Sequence, residues 1–248
     1  MKNILFSALI IILISVLSGF KTSSSFEPVA VVELFTSQGC SSCPAADRLL
    51  SQTIAEAKKD NKKVIALSFH VDYWNRLGWA DPFSDKKYSK HQREYATALN
   101  LNTVYTPQVI VNGETEFVGS GENEMHAAIN NFLNKKTVAG FKNLSATVEQ
   151  GKPIRINYSI EGNYNDCKIN FALLSLSETT SIKRGENGGR ILKNENVVRQ
   201  FITQPAAATG DVSFELSPMP AKGNFAIVAY LQRIKDLKII GAEIATIH

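Results

Sequence analysis

The chain has 248 residues, 44% of them hydrophobic and 20% charged, a globular composition long enough for one large domain or two small ones. Its 27 basic and 23 acidic residues give a formal charge of +4 without a basic stripe, which argues against a nucleic-acid partner. Of the three cysteines, Cys40 and Cys43 form an obvious pair and Cys167 is left over.

Residues 1–25 read as a secretory signal peptide. One lysine precedes a 14-residue apolar run, Ile4 to Leu17, and small and polar residues follow. Cleavage is expected after Ser18 or within Thr22 to Ser25. The alternative is an uncleaved anchor, for which the run is short against a span of about 20 residues; no stable membrane span is expected after cleavage. No cysteine follows it closely, as a bacterial lipoprotein would need. The protein is therefore expected to be exported, periplasmic or extracellular, where disulfides persist.

Residues 28–135 alternate strand-like and helix-like patterns. VAVVELF, Val29 to Phe35, is a near-continuous apolar run of the kind buried on both faces of a sheet. A helix follows from about Ser42 to Lys59, with Ala46, Leu49, Leu50, Ile54 and Ala57 at helical spacing and Pro44 in the first turn, where a missing N–H costs nothing. VIALSF, Val64 to Phe69, is a second strand. A loop rich in aromatics leads to a helix over Ser84 to Leu99. VYTPQVIV enters a third strand, Asn112-Gly113 signals a hairpin, and Glu122 to Leu133 reads as a last helix. The order is β-α-β-α-β-β-α. It carries the cysteine pair, the His70 to Trp79 loop and Thr106-Pro107 to one rim of the sheet.

Residues 141–248 read almost entirely as strands: SATVEQ, PIRINYSI, KINFALLSLSE, VVRQFIT, DVSFEL, NFAIVAYLQR and KIIGAEIAT. Seven short strands between turn signals predict an all-β, sandwich-like domain. The loop Gly185 to Arg190, GENGGR, lacks the strand–loop–helix setting of a phosphate loop. Arg184, Glu186, Asn187, Arg190, Asn196 and Arg199 cluster around it, either to hold the two regions together or to bind an acidic group.

C-S-S-C at the end of the first strand, a helix starting there, and Thr106-Pro107 before the third strand together resemble the thioredoxin fold. VVELFTSQGCSSCPAAD, HVDYWNRLGWADPF, YTPQVIVNG and RGENGG…NVVRQF resemble more narrowly a family of exported thioredoxin-like proteins, domain of unknown function 1223, over roughly residues 28 to 246. The resemblance implies a cis Pro107 beside the cysteines and, at Glu33, a buried carboxylate matching the Asp that helps move the second cysteine's proton in many thioredoxins. The usual tryptophan before the first cysteine is replaced by Gly39.

The residues leave three readings of the pair open. For redox work, a helix N-terminus favours a thiolate; Cys40 would be the exposed attacker and Cys43 the resolving thiol. As a structural staple, so short a ring contributes only about 2 kcal/mol. For a metal, His70 is the sole histidine predicted at the rim; two thiolates and one imidazole could hold copper(I) or an open zinc site. The exchange reading leads, with Cys40, Cys43, Glu33 and Pro107 carrying the chemistry. Thr106, Gly39, His70, Trp74 and Trp79 would line the substrate site. Protein or small-molecule thiols and disulfides are the expected partners, and no cofactor or resident metal is expected. The rivals are a non-catalytic secreted binding module with a structural disulfide, and a copper-handling protein. Cys167 reads as a buried free thiol.

Overall fold

The computed structural model describes residues 26–215, 221 and 223–248, and the expected signal peptide lies outside them. Strand β1, Ala30–Thr36, is buried at every position, as its unbroken apolar run requires. β2, Val64–His70, pairs with it in parallel, from Ala30↔Val64 to Thr36↔His70. β3, Gln108–Val111, lies antiparallel on the other side of β1, and β4, Thr115–Val118, forms the edge beyond it. In the turn between them Asn112 and Gly113 take φ values of 49° and 67°, the left-handed pair that an Asn-Gly hairpin uses.

Three helices complete this half: α1, Cys43–Lys59, α2, Lys86–Ala98, and α3, Glu122–Leu133. α2 begins two residues later than the sequence pattern predicts. Asp85 stays extended as its N-cap and accepts a hydrogen bond from the Lys87 N–H at 2.8 Å. Alternate residues of β1 face opposite sides. Ala30, Val32 and Leu34 meet Ala46, Leu49 and Leu50 of α1 and Met125 and Phe132 of α3. Val31 and Phe35 meet Tyr88 and Tyr95 of α2.

The later strands are β5, Ala139–Thr147, β6, Ile154–Gly162, β7, Cys167–Ser181, β8, Ile191–Pro205, β9, Thr209–Phe214, β10, Phe225–Arg233, β11, Ile239–Ile244, and β12, Thr246–Ile247. They divide between two sheets. β8 joins β2 in parallel at Ser68↔Val197, so one eight-stranded sheet, β11-β10-β7-β8-β2-β1-β3-β4, runs through both regions of the chain. The other four strands form a second sheet, β12-β5-β6-β9. It sets Leu144, Ile156, Tyr158 and Phe214 against Phe171, Leu173, Ala229 and Leu231. On their other face β7 and β10 offer Ala172, Leu174, Val228 and Tyr230, which join Val31, Phe35 and Phe69 in one core. This double burial explains the dense apolar run of β7. β8 is longer than its apolar signal, because Lys193, Asn194 and Glu195 pair with Thr179, Glu178 and Ser177 of β7. Among the described residues no helix is long and apolar enough to cross a membrane.

Glu33, the charged residue of β1, faces the α2 side. Its Oε1 accepts from the Tyr230 hydroxyl at 2.8 Å and lies 2.9 Å from His91 Nε2. Its Oε2 accepts from the Tyr95 hydroxyl. The expectation that Glu33 assists Cys43 is thereby corrected. The cysteine helix α1 packs on the opposite face of β1, and a strand cannot present one side chain to both. Glu33 instead ties β1 to α2 and β10 inside the shared core.

Burial alone would lower the His91 pKa, but the charge and hydrogen bond of Glu33, aided by Glu94, raise it above its ordinary 6.5. A folded value above the unfolded one gives stability that is complete below about pH 6.5 and lost as pH rises through the folded value. The urea midpoint of the protein is therefore expected to fall as pH rises over that window, and to fall less in His91→Gln. His70, raised in the same direction, retains part of the slope. Equal slopes in the two proteins would contradict the His91–Glu33 pair. Glu33→Gln, which breaks a buried pair, is expected to cost about 3 kcal/mol.

Candidate functional site

The end of β1 passes through Ser37, Gln38 and Gly39 into a turn, with the Cys40 N–H on the Ser37 carbonyl and the Cys43 N–H on the Cys40 carbonyl. Cys40 and Cys43 form a disulfide with their Cα atoms 5.4 Å apart. Cys43 is the first residue of α1, Pro44 lies in its first turn, and the helix itself carries no acidic residue in that turn.

The Thr106-Pro107 peptide bond is cis, and the Thr106 carbonyl lies 3.9 Å from Cys40 Sγ. Ser42 Oγ lies 3.3 Å from the same sulfur. Trp74 donates its indole N–H to Thr106 Oγ1 at 2.7 Å, and Trp79 donates to Gln38 Oε1 at 3.2 Å. A Cβ on Gly39 would stand 3.2 Å from that of Trp74, so glycine fits where the usual tryptophan would crowd the loop. The structure thus gathers Gly39, Cys40, Cys43, Trp74, Trp79, Thr106 and Pro107 at one rim. It departs from expectation in the exposure of Cys40: both cysteines have 0% exposed surface.

Beneath the disulfide, on the α1 side of the sheet, lies a buried polar group. His70 Nδ1 is 2.7 Å from Asp81 Oδ2, which also accepts from the Gln38 N–H at 2.7 Å. Thr36 Oγ1 donates to Asp47 Oδ1 at 3.0 Å. Burial lowers the His70 pKa, but the Asp81 charge and hydrogen bond, with Asp47 adding to them, outweigh it and raise it. Burial raises Asp81, but His70 and the N–H bonds of Gln38 and Phe83 take it below the ordinary carboxylate value. Both shifts favour the ion-paired form of His70 and Asp81. Asp47 is different: burial pushes its carboxyl up to about 6, against the pull of the His70 charge and the Thr36 bond. Ser68 Oγ, His70 Nε2 and Asn194 Nδ2 are buried here without a hydrogen-bond partner.

Asp47 was missed in the sequence, although it follows Cys43 by four positions and so shares its helix face. A carboxylate amid Ala46, Leu49 and Leu50 was the available signal. The sequence of the Gly185 to Arg190 loop predicts a cluster that links the two regions or binds an acidic group. In the structure Asn187 Nδ2 donates to the carbonyls of Gln38 and Cys40, at 3.0 and 2.8 Å. Glu186 Oε2 accepts from the Ser41 N–H at 3.0 Å. Asn196 Nδ2 donates to the Ala66 carbonyl, and Arg199 pairs with Glu178. Cys167 is a buried free thiol. Among the described residues no group of three or more His, Cys, Asp or Glu is placed to hold a metal ion.

The family model described as protein of unknown function DUF1223 matches residues 31–232, and the chain belongs to that family. The chain is similar to protein AGR_C_4864 from Agrobacterium tumefaciens, whose crystal structure shares 28% identity over 89% of this chain and 96% of that one, with a TM-score of 0.65. HBP35 of Porphyromonas gingivalis shares the fold at 15% identity, over 90% of this chain and 76% of that one, with a TM-score of 0.60. No curated protein matches.

An Asp that burial holds near 6 rather than at its ordinary 3.8 makes the fold prefer the neutral carboxyl. Stability is then lost as pH rises from about 4 through 6, by about 3 kcal/mol at completion. Asp47→Asn removes that loss. Relative to the parent protein, the variant is expected to gain about 3 kcal/mol between pH 4 and pH 8. Denaturant titrations at the two pH values check this, and a pH-independent difference would refute it.

Proposed function

We propose that the protein is an exported thiol–disulfide exchange protein built on a thioredoxin-like fold, acting on protein or small-molecule thiols and disulfides. One observation carries the reading: a closed Cys40–Cys43 pair at the N-terminus of α1, with Cys40 Sγ beside the Thr106 carbonyl next to Pro107. A helix N-terminus stabilises a thiolate, whereas a ring this short adds only about 2 kcal/mol as a staple. The fold around it, with its full cores, has little need of that contribution.

In the reducing direction the Cys40 thiolate attacks one sulfur of a substrate disulfide, and the other leaves as a thiolate. The Cys43 thiolate then attacks Cys40 Sγ of the mixed disulfide and releases the second substrate thiolate. Two electrons pass from the dithiol to the substrate, and the Cys40–Cys43 bond is restored. The oxidising direction is the reverse, and the redox partner sets which one runs. Asp47, on the cysteine side of β1 and with a carboxyl near 6, replaces Glu33 as the group suited to take the Cys43 proton. His70 and Asp81 hold a charge pair behind it. Trp74, Gly39 and Thr106 lie around the cysteine turn, with Trp79 held to it through Gln38, as residues suited to line the substrate site.

Insulin reduction with a dithiol donor tests the reading. The parent protein is expected to turn insulin over, Cys40→Ser to fall to background, and Cys43→Ser to accumulate a mixed disulfide. A pair potential below about −300 mV with no insulin turnover would instead leave a structural disulfide in a binding module.

A further inference from the structure

Exchange at Cys40 requires a second sulfur to reach Cys40 Sγ, yet neither cysteine has exposed surface. Two segments from distant parts of the chain close on the cysteine turn. On one side Trp74 bridges its two walls, with its Cβ against Gly39 and its indole N–H on Thr106 Oγ1. It thereby spans the residues that precede Cys40 and Pro107. On the other side lies the tip of the β7–β8 hairpin, where Asn187 holds the carbonyls of Gln38 and Cys40 and Glu186 holds the Ser41 N–H.

The two segments also touch each other. A Cβ on Gly78 would lie 3.3 Å from Gly185 Cα, and one on Gly185 would lie 3.2 Å from Trp79 Cβ. Both glycines have positive φ, 102° and 76°, so side chains there would be strained as well as crowded. The tip is nevertheless lightly held. From Ser181 to Arg190 only Ile182 and Asn187 are buried, and Gly188 and Gly189 leave the backbone free to bend. Few buried contacts and exposed backbone mark a segment that opens at low cost.

We propose that Trp74 and Asn187 are the access-determining residues of the disulfide. They latch a two-part cover, made of the Trp74–Trp79 loop and the hairpin tip, that must open before Cys40 Sγ can be attacked. The exchange reading supplies the purpose of this cover, but its test does not depend on that reading.

The test is the reduction rate of the oxidised protein by dithiothreitol, read by alkylation and mass. A dithiothreitol thiolate attacks Cys40 Sγ and displaces the Cys43 thiolate. Its second thiol then closes the reagent's ring and releases Cys40. Trp74→Phe keeps an aromatic ring but loses the donor, and Asn187→Asp keeps the shape but loses both donations. Each is expected to speed reduction by about three- to tenfold, the range for one or two neutral hydrogen bonds, and the double variant by more than either. Acceleration through the cover has a flat dependence on low urea, whereas acceleration through global unfolding has a steep one. Unchanged rates in the folded single variants, or a steep urea dependence of the gain, would overturn the proposal. If Asn187→Asp does not fold, Trp74→Phe and Glu186→Ala decide it by the same criterion. Faster reduction of the variants by dithiothreitol, with no insulin turnover by any form, would leave the cover standing and remove the exchange reading alone.

Discussion

Gln38 is the residue on which the geometry of the cysteine turn depends. It is fully buried, and its polar groups are all engaged. Its N–H goes to Asp81, and its carbonyl takes the Asn187 amide. Its side-chain oxygen takes the Trp79 indole, and its side-chain amide reaches Thr180 and Asn194. Each buried group left unmet costs about 1 to 3 kcal/mol, so the bonds hold as a set. One residue, through its main chain and its side chain, thereby fixes the turn against the aromatic loop, β7, β8 and the hairpin tip at once.

Strand parity then sorts the buried charge. Glu33 and Thr36 lie on opposite faces of β1, so the chain builds one polar network on each side. Glu33, His91, Tyr95 and Tyr230 hold α2 and β10 to β1 inside a closed core. Thr36, Asp47, His70 and Asp81 sit under the disulfide, where three buried polar atoms remain unpartnered. The first network has its carboxylate oxygens fully used and acts as structure. In the second, burial pushes the Asp47 carboxyl up to about 6, so its ionisation costs stability as pH rises.

Local pattern made much of this readable. The apolar run of β1, the helical spacing of α1, Pro44 at its start and Asn112-Gly113 in the hairpin each state their conformation through short-range physics. The cysteine pair also announces its place at a helix start. The cis bond before Pro107 came only from resemblance. What stayed hidden was long-range. Nothing in VIALSF says that Ser68 will pair with Val197, and a continuous run in β7 looks the same whether one sheet or two will cover it. The face that Glu33 takes depends on which helix packs where. The carbonyl of Cys40 is held by a residue 147 positions further along the chain.

That separation sets an order of assembly. In a chain made from its N-terminus, Cys40 and Cys43 emerge well before Asn187. At roughly 5 to 20 residues per second, the 147-residue gap between Cys40 and Asn187 takes on the order of ten seconds. Throughout that interval the thiols stand uncovered, the outer edge of β2 lacks β8, and Gln38 lacks Asn194. The pair is therefore open to outside reagents early, whereas its hydrogen bonds from Asn187 wait for the second half of the chain. A nascent or truncated form and the finished protein present the same two cysteines in different chemical settings.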